Sequence, residues 1–278
     1  MTHQHPSVAI LGAGAMGEAL AMGLIDAGWE HTAIELAARR TERAKRVAAS
    51  TSCRCVLDPA EILPGKDVVV VAVKPRDVHH LLGQIHSALG AGQVVVSLAA
   101  GVPTTVFEKV LGAIPVVRVM PNTPAIVRQG ITGMAAGAHA GPADLDLAER
   151  VLTAVGPVTR LDEHLLDAVT AVSGTGPAYA FLLAEALTEA AIREGLPRDV
   201  AELLVHQTIK GAGHLLVDTG RSPFELRSEV TSPGGTTAAA MHVLEERGFR
   251  ALVEDAVRAA AQRSREMGGF AVAAEEEE

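Results

Sequence analysis

The chain has 278 residues, 48% of them apolar, enough to bury a substantial core and to form two domains. Its formal net charge of −9 argues against nucleic acid or an anionic membrane as a partner, since either would call for a basic face. The two cysteines, Cys53 and Cys55, have no second pair and no nearby histidine pair, which argues against a zinc site or a disulfide framework and suits reduced thiols in a cytoplasmic protein.

Residues 1–7 carry no basic cluster, so no cleavable leader is expected. The apolar run Val8 to Leu11 leads at once into Gly12-Ala13-Gly14-Ala15-Met16-Gly17, a G-x-G-x-x-G spacing between a strand and a helix. The first glycine permits the turn, the second lets a pyrophosphate approach the backbone, and Gly17 lets the helix lie close on the strand. The helix is expected over Glu18 to Ile25 and to stop at Gly28.

A second strand spans His31 to Leu36. Its end, ~20 residues past the glycines, is where NAD-specific folds place an acid for the ribose hydroxyls. Here Ala37-Ala38-Arg39-Arg40-Thr41 offers two guanidinium groups instead, which suit a 2′-phosphate and favour NADP(H) over NAD(H). Glu35 stays open as a ribose contact should the strand end earlier. Arg43, Lys45 and Arg46 read as the solvated face of the next helix.

Further strands are expected at Cys53 to Leu57, Asp67 to Val73, Gln93 to Leu98 and Pro115 to Met120. Their unbroken β-branched runs imply a parallel sheet buried on both faces. Val73-Lys74-Pro75, Ala99-Ala100-Gly101 and Pro121-Asn122-Thr123-Pro124 follow three of them and could line one cofactor crevice, with Asn122 supplying both donor and acceptor. Strands at Ile131 to Gly137 and Pro157 to Leu161 flank a helix near Ala143 to Val155.

From Asp162 strand signals cease. Long helices are expected over His164 to Glu194, Pro197 to Thr219, Pro233 to Arg247 and Ala251 to Met267. The fold class is therefore α/β: a nucleotide-binding α/β domain over 1–161 and an all-helical domain over 162–278. The most membrane-like stretch, Leu165 to Ala184, contains Asp167, Gly174, Gly176 and Pro177 and reads as a buried helix that Pro177 bends or breaks. Its small residues and the scarcity of aromatics point to packing against a second copy, hence a homo-oligomer. His79, His80, His206 and His214 fall on helices without a polar loop. Glu275 to Glu278 reads as a disordered acidic tail.

Val230-Thr231-Ser232-Pro233-Gly234-Gly235-Thr236-Thr237 is a second anion cradle. Pro233 suits a first helical turn, Gly234 and Gly235 expose amides, and the threonines add hydroxyls, so a small carboxylate would fit. A plain helix cap by Ser232 or Thr231 is compatible with the same residues.

Six segments in order, among them Gly12 to Gly17, Ala72 to Pro75, Ser97 to Val102, Met120 to Pro124, Val172 to Tyr179 and above all Thr231 to Thr237, make the chain resemble the pyrroline-5-carboxylate reductase family. The resemblance implies an N-terminal Rossmann dinucleotide-binding domain, a C-terminal helical domain intertwined into a homodimer, dimers joined into a larger ring, and reduction of 1-pyrroline-5-carboxylate to L-proline. It further implies that Ser232, Gly234, Gly235, Thr236 and Thr237 hold the substrate, with Thr237 as the catalytic hydroxyl near the imine nitrogen and Glu163 contributing. Gly12, Ala13, Gly14, Ala15, Met16, Gly17, Arg39, Arg40, Val73, Lys74, Ala100 and Asn122 would then hold the cofactor, NADP(H) preferred and NAD(H) possible, with no metal. A cyclic imine is electrophilic when protonated, so no strong general acid is required. A hydroxy-acid reductase would need a lysine in the second half, where Lys210 is the only one. A non-catalytic NADP-sensing protein would not need the Ser232 to Thr237 cradle.

Overall fold

A computed structural model gives the structure of the chain over residues 5–273. The chain folds as two compact units, one running to Thr175 and resuming at Ala259, the other spanning Gly176–Arg258. The acidic tail at 275–278 lies outside the described residues.

The first unit is built on one sheet. Strands β1 (Val8–Leu11), β2 (Ile34–Ala37), β3 (Arg54–Val56), β4 (Val68–Val71), β5 (Val94–Ser97) and β6 (Val116–Met120) run parallel. β7 (Thr132–Ala136) turns back antiparallel to β6, and β8 (Val158–Arg160) pairs parallel with β7. The order is β3-β2-β1-β4-β5-β6-β7-β8, so the winding reverses between β1 and β4. In open α/β sheets that reversal opens a crevice at the carboxyl edge.

The valine runs are explained by two faces that are both covered. Val8, Ile10, Val68, Val70, Val94 and Val96 point into one core, where Leu20 and Leu24 of α1 (Ala15–Asp26), Val47 of α2 (Thr41–Thr51) and Val151 of α5 (Pro142–Leu152) meet them. Alternate residues Ala9, Leu11, Val69, Val71 and Val95 point the other way, onto Leu82 and Ile85 of α3 (Val78–Ile85) and Phe107 of α4 (Thr104–Leu111).

The expected helix His164 to Glu194 forms in pieces. A 3₁₀ turn at Glu163–Leu165 and a short α6 (Leu166–Val169) pass into a π turn at Thr170–Gly174, where the Thr175 amide donates to the Thr170 carbonyl at 2.9 Å. A new helix, α7 (Gly176–Arg193), then starts with Pro177 in its first turn. Pro177 has no N–H for the carbonyl four residues back, Ser173, and the helix resets there.

In the second unit α7 and α8 (Arg198–Thr219) pack as neighbours joined by a short turn. They are followed by α9 (Pro223–Glu229), α10 (Thr236–Glu246) and α11 (Phe249–Ala273). α9 was not expected. Its start is a capping box: Ser222 Oγ accepts from the Glu225 amide at 3.2 Å, and Glu225 accepts from the Ser222 amide at 3.0 Å. Within this unit Phe181, Leu182, Leu183, Leu187, Leu203, Leu204, Leu215 and Leu216 are all exposed, and a groove of about 720 Å³ runs between α7 and α8 past Phe181, Thr188 and Ile209. So many exposed large apolar side chains on neighbouring helices are characteristic of an association surface.

Glu35, in the middle of β2, pairs with Lys66 at 2.7 Å and Arg54 at 2.8 Å. Burial pushes its carboxyl up, but the hydrogen bonds from Lys66 and Arg54 outweigh it and hold the group below its usual value of 4.5. A depressed carboxylate stabilises the fold above the unfolded value and loses that contribution as pH falls through the folded one. Replacing Glu35 with Gln should therefore lower the unfolding temperature by a few degrees at pH 7. The gap to the parent protein should close as the pH drops below about 4.5; thermal melts across that range measure it.

Candidate active site

The glycine turn after β1 has three different glycine requirements. Gly12 has φ of +114°, and a methyl built on it would lie 2.7 Å from the Ala72 carbonyl oxygen. A methyl on Gly17 would sit 2.2 Å from the Gly12 carbonyl oxygen. Gly14 is exposed, and a methyl there would meet nothing within 4 Å. The first and third glycines are thus needed by the protein, while the second leaves space for a guest.

The turn is tied down by the Gly12 and Ala13 amides, each donating to the Ala37 carbonyl at 3.0 Å. α1 makes its first bond from the Glu18 amide to Gly14, so the amides of Ala15, Met16 and Gly17 precede it with no side-chain cap. Such a helix start attracts an anion, and the open cradle at Gly14 fits a dinucleotide's pyrophosphate.

Arg43 corrects one expectation. It is no solvated-face residue: its Nε donates to the Ala13 carbonyl and its Nη2 lies 2.7 Å from Glu18, so it braces the glycine turn against α1 and α2. Arg46 adds a 3.5 Å contact to the same carboxylate. Glu35, inside β2, has one oxygen paired with Arg54 and the other with Lys66.

The remaining cofactor candidates stand on the same carboxyl edge. Arg39 is exposed and pairs with Asp77 at 3.0 Å; Arg40 is exposed at the start of α2. Val73 comes 3.1 Å from the position of a Gly12 methyl, and Lys74 is exposed beside it. Ala100 is half-buried in the loop from β5 to α4. That loop is clamped at Gly101, φ +77°, against the backbone of Ser264 and Gly268 in the part of α11 that belongs to this unit.

Asn122 is used structurally. Its Nδ2 lies 3.3 Å from the Ser173 carbonyl, the acceptor that Pro177 leaves without its helical N–H, and its Oδ1 accepts from the Ile131 amide at 3.0 Å. Glu163 is likewise engaged: Thr104 donates to it through its amide and its hydroxyl, each at 2.8 Å, and Arg118 approaches at 3.2 Å. Arg118, buried in β6, also faces Asp167 at 3.8 Å, which Ser264 Oγ binds at 2.6 Å. Thr104, Arg118 and Ser264 carry no sequence signal that would have joined them to Glu163.

The second cradle lies in the other unit. α10 starts at Thr236, three residues later than Pro233, with Gly235 at its cap and no side-chain cap from Ser232 or Thr231. Gly234 has φ of +71°, and the first helical bond runs from the Ala239 amide to Gly235 at 3.2 Å. The amides of Thr236, Thr237 and Ala238 therefore precede it. Ser232, Gly234 and Thr236 are exposed, Gly235 and Thr237 half-buried.

Among the described residues no cluster of three or more His, Cys, Asp or Glu is placed to hold a metal, and no helix is long and apolar enough to cross a membrane. Burial raises the thiols of Cys53 and Cys55 above their usual range.

Comparison with known proteins matches residues 163–267 to the family described as pyrroline-5-carboxylate reductase dimerisation, and residues 7–101 to NADP oxidoreductase, coenzyme F420-dependent. A pyrroline-5-carboxylate reductase of Pseudomonas aeruginosa is 42% identical over 264 residues, 94% of this chain and 97% of that protein. The structure of a pyrroline-5-carboxylate reductase from Coxiella burnetii superposes with a TM-score of 0.90 at 38% identity, covering 94% of this chain and 98% of that one. A Plasmodium falciparum pyrroline carboxylate reductase with NADP bound gives 0.85 at 29% identity, covering 95% and 99%.

The different glycine environments make a direct prediction. Gly14→Ala should melt like the parent protein yet bind NADPH about tenfold or more weakly, because its methyl enters the space of the pyrophosphate. Gly17→Ala should instead lower the melting temperature, since helix and turn must separate. Calorimetric melts and NADPH titration of the two variants distinguish these outcomes.

Proposed function

The chain belongs to the pyrroline-5-carboxylate reductase family, and from that premise we propose how its own residues divide the work of reducing 1-pyrroline-5-carboxylate to L-proline with NAD(P)H. The observation that carries this reading is the 42% identity to a named reductase along 94% of the chain. A reduced nicotinamide, when bound, supplies the hydride that reaches the carbon of the C=N bond.

The amides of Ala15, Met16 and Gly17 hold the pyrophosphate over the Gly14 cradle, and Val73, Lys74, Ala100 and Asn122 border the cofactor along the strand ends. Arg39 and Arg40 receive a 2′-phosphate, which makes NADPH the preferred donor and NADH a usable one. Support comes from the exposure of both guanidinium groups just past β2 and from the pairing of both Glu35 oxygens with Arg54 and Lys66.

The start of α10 binds the substrate carboxylate: the amides of Thr236 and Thr237 donate to it, Gly234 and Gly235 keep the approach clear, and Ser232 adds a hydroxyl. Thr237 Oγ1 hydrogen-bonds the ring nitrogen and holds the imine in one orientation. The nitrogen takes its proton from water, so positioning and charge neutralisation supply most of the rate. Glu163 serves the site indirectly, fixing the start of α4 through Thr104.

The proposed assembly is a homodimer in which a second copy covers the exposed leucines and Phe181 of α7 and α8, with dimers joining into a larger ring. Two free thiols suit the cytoplasm.

Thr237→Ala should lower kcat for 1-pyrroline-5-carboxylate by about tenfold to a hundredfold while the NADPH dissociation constant stays put; steady-state kinetics beside NADPH titration checks this, and an unchanged kcat would remove Thr237 from the mechanism. Replacing both Arg39 and Arg40 with Ala should raise KM for NADPH more than for NADH. Equal increases would refute the 2′-phosphate assignment.

A further inference from the structure

β2 and β4 both pair with β1, so the segments that follow them flank the glycine turn, ~10 Å apart at ordinary strand spacing. One ion pair joins those segments: Arg39 Nη1 to Asp77 Oδ1, 3.0 Å. The two partners are unequal. The Arg39 side chain is 75% exposed, the Asp77 side chain 22%.

Asp77 is the last residue of the 3₁₀ turn that runs into α3, its backbone already helical at φ −98° and ψ −6°, and its side chain makes no cap bond and pairs with Arg39. The backbone beneath it is stiff, because Pro75 opens the 3₁₀ turn Pro75–Asp77 and the Asp77 amide donates to the Lys74 carbonyl at 2.9 Å. Lys74, Arg76 and Arg40 are the other charged groups on these segments, all exposed.

An acid that binds ribose hydroxyls is missing from the end of β2, yet Asp77 presents one to the same place from the neighbouring segment. We propose that Asp77 is the residue that sets how strongly this enzyme discriminates between the 2′-phosphate and the 2′-hydroxyl of its cofactor, by competing for Arg39. This rests on the reading that Arg39 receives the 2′-phosphate. A phosphate carries roughly −1.5 to −2 charges near neutrality. Asp77 engages Arg39 through Nη1 alone, so a phosphate that takes the guanidinium fork must share it with, or draw it from, a carboxylate that stays in place and repels the incoming charge. A 2′-hydroxyl does the opposite: it donates to Asp77 and leaves the ion pair standing. Asp77 therefore weakens the phosphorylated cofactor and strengthens the unphosphorylated one, while Arg39 strengthens the phosphorylated one alone.

The test is calorimetric titration of the whole enzyme with two adenosine fragments, 2′,5′-ADP and 5′-AMP, repeated with NADPH and NADH. Asp77→Asn, which keeps size and removes charge, should bind 2′,5′-ADP about three- to tenfold more tightly and 5′-AMP more weakly, as expected for removing an exposed pair and a nearby like charge. Arg39→Ala should weaken 2′,5′-ADP and leave 5′-AMP nearly unchanged. If Arg39→Ala shifts the ratio of the two dissociation constants but Asp77→Asn does not, or weakens 2′,5′-ADP, the role of Asp77 is overturned while the phosphate site stands. If Arg39→Ala leaves the ratio as in the parent enzyme, the phosphate assignment fails and the proposal falls with it.

Discussion

The structure depends on one close approach: the carbonyl oxygen of Gly12 occupies the space that any side chain on Gly17 would need. Because that contact is backbone against backbone, α1 can lie directly on the end of β1, and its first amides face the crevice where the sheet order reverses. The Gly12 and Ala13 amides bind the Ala37 carbonyl, and Arg43 binds the Ala13 carbonyl from α2, so the turn is held by the end of β2 and by the helix that follows it. The open side is Gly14, where a methyl would meet nothing within 4 Å. Pre-organised amides beside an open space are what a pyrophosphate needs, since no reorganisation is required on binding.

The same unit shows how a sheet places loops accurately. Parallel strands buried on both faces fix the positions of all their carboxyl ends, and the connecting loops then need few further restraints. Those restraints are polar and specific: Glu163 holds the start of α4 through Thr104, Arg118 holds Glu163, and Ser264 holds Asp167. Asn122 fills the hydrogen-bond vacancy that Pro177 creates at Ser173. A single missing N–H in the chain thus accounts for a helix break and for the partner of an asparagine fifty-one residues away.

What the sequence made legible was whatever repeats with a short period or carries a local rule. The valine runs and the glycine spacing identified the sheet and the turn at its carboxyl edge, and Pro177 announced the break. The capping box at Ser222 and Glu225, with Pro223 between them, was legible too, yet the surrounding helical pattern hid α9. The start of α10 was read three residues early because Pro233 suits a first turn, whereas Gly234 takes a left-handed φ and delays the helix to Thr236. Contacts distant in sequence were out of reach. Nothing in the spacing of Arg43 and Ala13, Arg118 and Glu163, or Arg39 and Asp77 links them, because each pair meets only when separate strands place their ends side by side.

The central claim is that the pyrophosphate of the cofactor rests on the first amides of α1 above Gly14. A crystal structure of the enzyme with NADPH bound tests it most directly. The account predicts pyrophosphate oxygens about 2.7–3.1 Å from amide nitrogens within Gly14 to Gly17; a pyrophosphate bound away from that helix start would contradict it.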